Sequence, residues 1–139
     1  MSFKSTGISS NDVVNLWCDV EKYVIKALEH SEGELDENDV LEHLVKQAMQ
    51  LWVIYDEDTK EIKTAMITEI MQYPKKRFCR FVGLAGESEV DWLEGDYLGV
   101  VERWAASIGC DGVESLVRPG MVKLMGKVGY HKAYDSLRS

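Results

Sequence analysis

The chain has 139 residues, of which 45% are hydrophobic, and its formal net charge is −8. This length is typical of one domain that buries its own core without needing disulfides or a metal. The acidic balance excludes a general nucleic-acid-binding surface, which needs basic side chains to displace counterions from phosphates. We therefore expect a single domain over residues 1–139, with no nucleic acid as a partner.

The cysteines and histidines are too scattered to suggest a disulfide framework or a metal site. Cys18, Cys79 and Cys110 form no CxxC pair, and the three histidines have no ligand spacing. The N-terminus lacks the apolar segment of a signal peptide, and no apolar run approaches membrane-spanning length. These features predict a protein with reduced thiols inside a cell, without a metal and without a membrane partner.

The first third of the chain predicts an extended piece and two helices. Ser2–Ile8 is predicted to be extended. The first helix is predicted from the capping residues Ser9, Ser10 and Asn11, which precede an apolar face from Val13 to Leu28. A second helix is expected to begin at about Asp39. Between them Glu29–Glu42 holds seven acids and no Lys or Arg. This run is either a solvated connection and helix face or a negative docking patch for a basic partner.

Three strands joined by tight turns are expected next, followed by a helix and a further strand. The predicted strands are Leu51–Tyr55, Ile62–Met71 and an alternating Arg77–Leu84, in which Phe78, Arg80, Val82 and Leu84 share one face. A long helix that ends at Gly109 leads to a strand at Val113–Val117. Because a helix connects them, we expect the Val113–Val117 strand to lie parallel to Arg77–Leu84.

The last segment predicts one short helix and one strand. Arg118-Pro119-Gly120 breaks the chain, Met121–Val128 fits a short helix, and Tyr130–Leu137 fits a single final strand. The expected fold class is therefore α/β, or more strictly α+β. It consists of a mixed, mostly antiparallel sheet with two N-terminal helices, one long central helix and one short C-terminal helix.

This order of elements resembles the GNAT superfamily of N-acetyltransferases. The matching motifs are a long helix ending in Ala105–Cys110 and a short helix ending in Met125–Tyr130. The short sequence motifs are most similar to those of short GNAT-like proteins of tailed bacteriophages. That similarity rests on Gln50–Val53, on Trp92, and on Gly109-Cys110 followed by Arg118 and Gly120.

The resemblance implies a phosphate-binding loop before the long helix, and this chain departs from that pattern. In the family, backbone N–H groups of a Gly-rich loop hold the pyrophosphate of acetyl-CoA. Here Gly86–Asp96 contains five acids, no Arg or Lys and no G-x-G. Acids at a helix start cap the helix and repel phosphate, so we expect no cofactor. If acetyl-CoA does bind, the candidate residues are Gly86, Ser88, Arg118 and Lys123.

The catalytic pattern also departs from the family. The tyrosine that many GNAT enzymes use as general acid corresponds here to Met125, which cannot donate a proton. The family's base is commonly a glutamate on or near the central strands. The remaining catalytic candidates are Glu69, Glu87 and Tyr130.

Two functions follow from this comparison. The first is a catalytically degenerate GNAT-fold protein that serves as a bacteriophage virion or assembly component, located in the host cytoplasm or the virion, with a phage or host protein as partner. The alternative is an active acetyl-CoA-dependent N-acetyltransferase with an atypical cofactor loop. Binding of acetyl-CoA separates the two.

Overall fold

The computed structural model describes residues 3–28, 35–86, 97–116, 131–133 and 136–138. In chain order the elements are β1 (Phe3–Ile8), α1 (Ser10–Ala27), α2 (Glu37–Val45), β2 (Met49–Asp56), β3 (Ile62–Gln72), β4 (Arg77–Gly86), α3 (Tyr97–Ser107), β5 (Gly112–Leu116), β6 (His131–Ala133) and β7 (Ser136–Arg138). The strands form one sheet in the order β1-β2-β3-β4-β5-β7-β6. The predicted mixed sheet with two N-terminal helices and a later helix before β5 is confirmed.

The sheet is antiparallel except at one strand pair. β4 and β5 run parallel and are joined through α3, as the sequence predicts. The predicted turn between β2 and β3 is held by buried Asp56, whose Oδ1 accepts a hydrogen bond from the Asp58 N–H at 2.8 Å. Lys60 completes that turn with φ of 63°. Tight turns of this kind fix the register of the neighbouring strands.

Side-chain caps begin both N-terminal helices. The Ser9 hydroxyl accepts a hydrogen bond from the Asn11 N–H, so the predicted start of α1 is confirmed. The second helix starts at Glu37, earlier than the predicted start near Asp39. The reason is a capping box, in which Asp36 and Asp39 each accept a hydrogen bond from the other's backbone N–H.

The same contacts bear on the acidic run Glu29–Glu42. In its described part, Asp36 and Asp39 cap α2, and Glu42 pairs with Lys46 at 2.6 Å. Carboxylates used in this way stabilise the helix start. The docking patch for a basic partner stays a prediction.

The core consists of two apolar layers, one on each side of the sheet. On the α1/α2 face, Val20, Val24 and Val40 of the helices pack with Leu51 and Ile67 of the strands. On the α3 face, Val101 and Ala105 pack with strand residues that include Trp52, Met66, Phe81 and Val113. No helix among the described residues is long and apolar enough to cross a bilayer.

Two strand predictions are wrong in detail. The alternation predicted for Arg77–Leu84 breaks at Val82, because Thr68 pairs with Phe81 and the neighbouring Ile67 pairs with Gly83. Val82 is therefore the extra residue of a β-bulge, and Leu84 becomes the register partner of Met66. The predicted alternation does not continue past Val82.

The second error concerns the single last strand predicted over Tyr130–Leu137. The structure has two short strands there, β6 and β7, which pair antiparallel with His131 opposite Arg138. A period-two pattern cannot show where a short strand reverses, so one strand was predicted where two exist. The predicted helix Met121–Val128 lies outside the described residues.

Candidate functional site

The sheet opens between β4 and β5 above a short parallel ladder. β4 pairs with β5 only from Phe78 to Phe81, opposite Gly112–Ser115. β4 continues to Gly86, and its Val82–Gly86 segment has no partner among the described residues of β5. Leu116 of β5 pairs with β7 instead. We call this opening the wedge, and its apex is the rung that joins Phe81 to Ser115.

A β-bulge at Val82 lies where the described pairing of β4 with β5 ends. An extra residue in one strand bends that strand and increases its local twist. Val82 follows Phe81, the last residue of β4 that pairs with β5. The wedge therefore begins where the bulge lies, and backbone N–H and C=O groups along this edge of β4 have no strand partner among the described residues.

Directly below the apex, a buried polar cluster lies on the α1/α2 face. The Tyr73 hydroxyl donates a hydrogen bond to Glu114 Oε1 at 2.6 Å, and Arg80 Nε donates to the same oxygen at 3.2 Å. Arg80 Nη2 also donates to the Tyr73 hydroxyl at 2.8 Å. The Glu114 side chain has no exposed surface, whereas the Arg80 side chain is 22% exposed. A fully buried carboxylate needs this kind of pairing, since an unpaired one is strongly destabilising.

Glu69 belongs to a row of charged residues that crosses four strands. Its register partner on β4 is Arg80, the register partner of Arg80 on β5 is Glu114, and that of Glu114 on β7 is Arg138. We call Glu69, Arg80 and Glu114 the charged row. Met49, which is opposite Glu69 on β2, packs in the α1/α2 layer, so the row lies on that face.

The Glu69 side chain differs from those of Arg80 and Glu114 in its contacts. Glu69 is half-buried, and no described residue lies within hydrogen-bonding or ion-pair distance of its carboxylate. Arg80 is directly opposite, but its guanidinium turns to Glu114 and Tyr73. Glu69 therefore presents a carboxylate close to the apex whose oxygens are not taken by a described side chain.

A second set of linked hydrogen bonds lies on the α3 face. Trp52 Nε1 donates to the Thr68 hydroxyl at 3.0 Å, and that hydroxyl donates to Gln50 Oε1 at 2.9 Å. Trp52 also packs edge-on against Trp104 with ring centroids 5.4 Å apart. Trp52 is thus a buried core residue. Thr64, the register partner of Gly86, has a buried hydroxyl that finds no hydrogen-bond partner among the described residues.

The structure locates only part of the predicted site. Glu69 lies in the charged row, and Gly86 ends β4 at the top of the wedge. The other candidates lie outside the described residues, and they are Glu87, Ser88, Arg118, Lys123 and Tyr130. Whether these residues bind or react stays a prediction.

Three residues of the site were not predicted from the sequence, namely Tyr73, Arg80 and Glu114. Tyr73 falls in a turn, and Arg80 was treated only as one position in an alternating strand. The available signal was Glu114, a charged residue inside the short apolar strand β5. A carboxylate at such a position requires a buried partner, which directs attention to an arginine on the adjacent strand.

The cysteines are placed as expected for reduced thiols. Burial raises the pKa of Cys79 to about 12, with a hydrogen bond from Thr68 opposing the shift and the nearby Cys110 adding to it. Burial also raises the pKa of Cys110, against the charge of Arg77. Cys18 is exposed on α1. In the described part of the chain, no group of His, Cys, Asp and Glu is arranged to hold a metal ion.

We expect a thiol reagent at mildly alkaline pH to modify Cys18 first and Cys79 only after unfolding. A thiol whose pKa lies about three units above its usual value has on the order of a thousandfold less reactive thiolate at a given pH. Mass spectrometry of a time course measures the order of modification, and denaturant should equalise the three rates. Comparable rates at Cys18 and Cys79 in the folded protein would contradict the burial of Cys79.

Solved structures of known acetyltransferases share this architecture. A glucosamine-6-phosphate N-acetyltransferase from Arabidopsis thaliana superposes with a TM-score of 0.63 and 12% identity, over 96% of this chain and 94% of that chain. A predicted acetyltransferase with acetyl-CoA from Clostridium acetobutylicum gives 0.67 and 12%, over 96% and 93%. A GCN5-related N-acetyltransferase from Ralstonia eutropha gives 0.66 and 10%, over 96% and 95%.

Sequence comparison alone finds less. No family model matches the chain, and no curated protein matches it. The structural likeness extends over nearly the whole chain. The chain therefore has the fold of the GNAT N-acetyltransferases.

Proposed function

We propose that the chain is an acyl-CoA-dependent N-acyltransferase whose donor site is the wedge. The observation that carries this proposal is the end of the described β4–β5 pairing at the Val82 bulge, beyond which β4 has no partner in the described part of β5. In the proposed reaction the amine nitrogen bonds to the thioester carbonyl carbon, the carbon–sulfur bond breaks, and the amine loses a proton as the thiol is formed.

The wedge suits the arm of coenzyme A because both present amide groups. Backbone N–H and C=O groups of Val82–Gly86 on the β5 side have no strand partner among the described residues. An extended ligand that carries amides satisfies such groups in the way that an added strand does. This fit involves the backbone of β4 and does not depend on the side chains of the following loop.

Glu69 is the proposed acceptor of the amine proton. It lies one strand away from β4 on the α1/α2 face, in the row next to the apex. Neighbouring strands are about 4.8 Å apart, so the apex lies within reach of the carboxylate directly or through one water. Glu114 is less suited to this step, because its Oε1 already accepts hydrogen bonds from Tyr73 and Arg80.

The second candidate function is a catalytically degenerate interaction protein, such as a bacteriophage virion or assembly component. The acidic segment Gly86–Asp96 supports it, since the five acids there oppose a bound pyrophosphate. The two candidates differ in whether acetyl-CoA binds at all.

A thermal-shift titration with acetyl-CoA tests the proposal. A ligand at 100 times its dissociation constant stabilises the folded state by about 2.7 kcal/mol, which corresponds to a rise in Tm of roughly 10 °C for a domain of this size. We expect such a rise with acetyl-CoA and none with acetate. A flat response at millimolar acetyl-CoA would refute the enzyme and leave the interaction protein.

A further inference from the structure

We infer that a cavity at the start of β2 binds a small neutral ligand that carries a carboxamide group on an aromatic or apolar body. The cavity has a volume of about 430 Å³ and lies where the end of β1, the start of α1 and the end of α2 meet. We call it the β2 cavity. Its volume is within the range of sites that bind small organic molecules. The inference does not depend on acyl transfer, because the β2 cavity is separate from the wedge.

The β2 cavity forms because β2 extends beyond the end of its neighbour β1. The β1–β2 pairing ends where Ile8 is opposite Leu51, and the chain then turns at Ser9 into α1. Met49 and Gln50 therefore have no partner in β1. The start of α1 and the end of α2 border the gap that this leaves at the outer edge of β2.

Hydrogen bonds on the α3 face orient the Gln50 side chain, which lines the β2 cavity. Gln50 Oε1 accepts a hydrogen bond from the Thr68 hydroxyl at 2.9 Å, and that hydroxyl accepts one from Trp52 Nε1 at 3.0 Å. Because Thr68 fixes the position of Oε1, the position of Nε2 is also fixed, and Nε2 has no hydrogen-bond partner among the described residues. Gln50 therefore offers an oriented N–H donor that suits a ligand carbonyl.

The other lining groups define the ligand class, since all of them are neutral. The side chains of Ser10, Asn11 and Gln47 can both donate and accept hydrogen bonds, and Trp104 adds aromatic surface. No described residue that lines the β2 cavity carries a charge, so a bound ion would lose water without gaining an ionic partner. A neutral carboxamide suits this lining, because its carbonyl can accept from Gln50 and its NH2 group can donate to the neighbouring side-chain oxygens.

The β2 cavity and the wedge lie on opposite sides of β3. Gln50 on β2 pairs with Thr68 on β3, and Thr68 pairs with Phe81 at the wedge apex. Neighbouring strands are about 4.8 Å apart, so Gln50 lies roughly 10 Å from the apex. A ligand in the β2 cavity therefore leaves the proposed donor site open, and we expect it to bind together with acetyl-CoA.

Three probes of the same shape test the ligand class at pH 7, since benzamide is neutral, benzoate is an anion and benzamidine is a cation. We expect NMR titration to show saturable benzamide binding at millimolar concentration, with shifts of the Gln50 side-chain amide. Benzoate and benzamidine should bind at least about tenfold more weakly. The inference is overturned if benzamide does not bind, if either ion binds as tightly, or if acetyl-CoA displaces benzamide.

Two substitutions with matched controls test the location. Gln50→Met removes the donor and should weaken benzamide binding about fivefold, whereas Gln72→Met, at an exposed glutamine outside the β2 cavity, should not. Ser10→Phe introduces a ring into the cavity lining and should weaken binding at least about tenfold. Val14→Phe adds the same ring at an exposed position of α1 and should leave binding unchanged.

Amide spectra of each variant report whether it is folded. If folded Gln50→Met binds benzamide as tightly as Gln72→Met does, Gln50 is not the donor and the inference is overturned. Ser10→Phe tests the location without changing the hydrogen bonds of Gln50. If folded Ser10→Phe binds benzamide as tightly as Val14→Phe does, the ligand does not occupy the β2 cavity.

Discussion

Replacing Glu114 by leucine is expected to lower the free energy of unfolding by about 3 kcal/mol. The substitution removes the carboxylate that accepts hydrogen bonds from Arg80 Nε and from the Tyr73 hydroxyl. The guanidinium is then left without its charge partner beneath the α1/α2 layer. We place the cost at the low end of the range for broken buried pairs, because the Arg80 side chain keeps 22% of its surface in water.

A double variant separates lost pairing from lost packing. Glu114→Leu combined with Arg80→Met removes both charges and replaces them with apolar groups of similar length. Such replacements are often neutral or stabilising, so we expect the double variant to recover most of the 3 kcal/mol, to within about 1 kcal/mol. Urea unfolding followed by tryptophan fluorescence measures all three proteins. Equal losses in the single and double variants would show that packing around Glu114, and not its charge, stabilises this region.

The sequence predicts the layers of this fold well because their signals are local. The signals are the apolar spacing on α1, the Ser9 cap and the turn at Asp56. Each of them involves only residues that lie a few positions apart in the sequence. The parallel placement of β4 and β5 also follows from local information, since a helix between two strands permits a parallel pair. These are the elements for which the predictions are confirmed.

The site was harder to predict because it depends on register. Glu69, Arg80 and Glu114 belong to three strands, and only the pairing of β3, β4 and β5 brings them into one row. The Val82 bulge shifts that pairing by one residue, which no period-two pattern reveals. Tyr73 reaches Glu114 across 41 positions of sequence, a contact that one sequence without relatives does not indicate.

Deleting Val82 is expected to lower the stabilisation of the protein by acetyl-CoA while keeping the fold. The deletion makes Phe81 and Gly83 adjacent, which matches their adjacent partners Thr68 and Ile67 on β3. The β3–β4 ladder then becomes regular, with every other pair unchanged. Without the extra residue β4 loses its bend, so it should follow β5 more closely and narrow the wedge. We expect the apparent affinity for acetyl-CoA to fall by more than tenfold, or about 1.4 kcal/mol.

Val82→Ala is the matched control for this deletion. Both changes remove apolar contact of the half-buried Val82 with the α1/α2 layer, at a cost of roughly 1–2 kcal/mol of unfolding free energy. Only the deletion removes the bulge, so a difference between the two variants in acetyl-CoA affinity reports on the shape of β4. Thermal shift with and without acetyl-CoA measures both quantities. If the deletion variant is folded and binds acetyl-CoA as tightly as Val82→Ala does, the bulge does not form the donor site, and the wedge loses its proposed role.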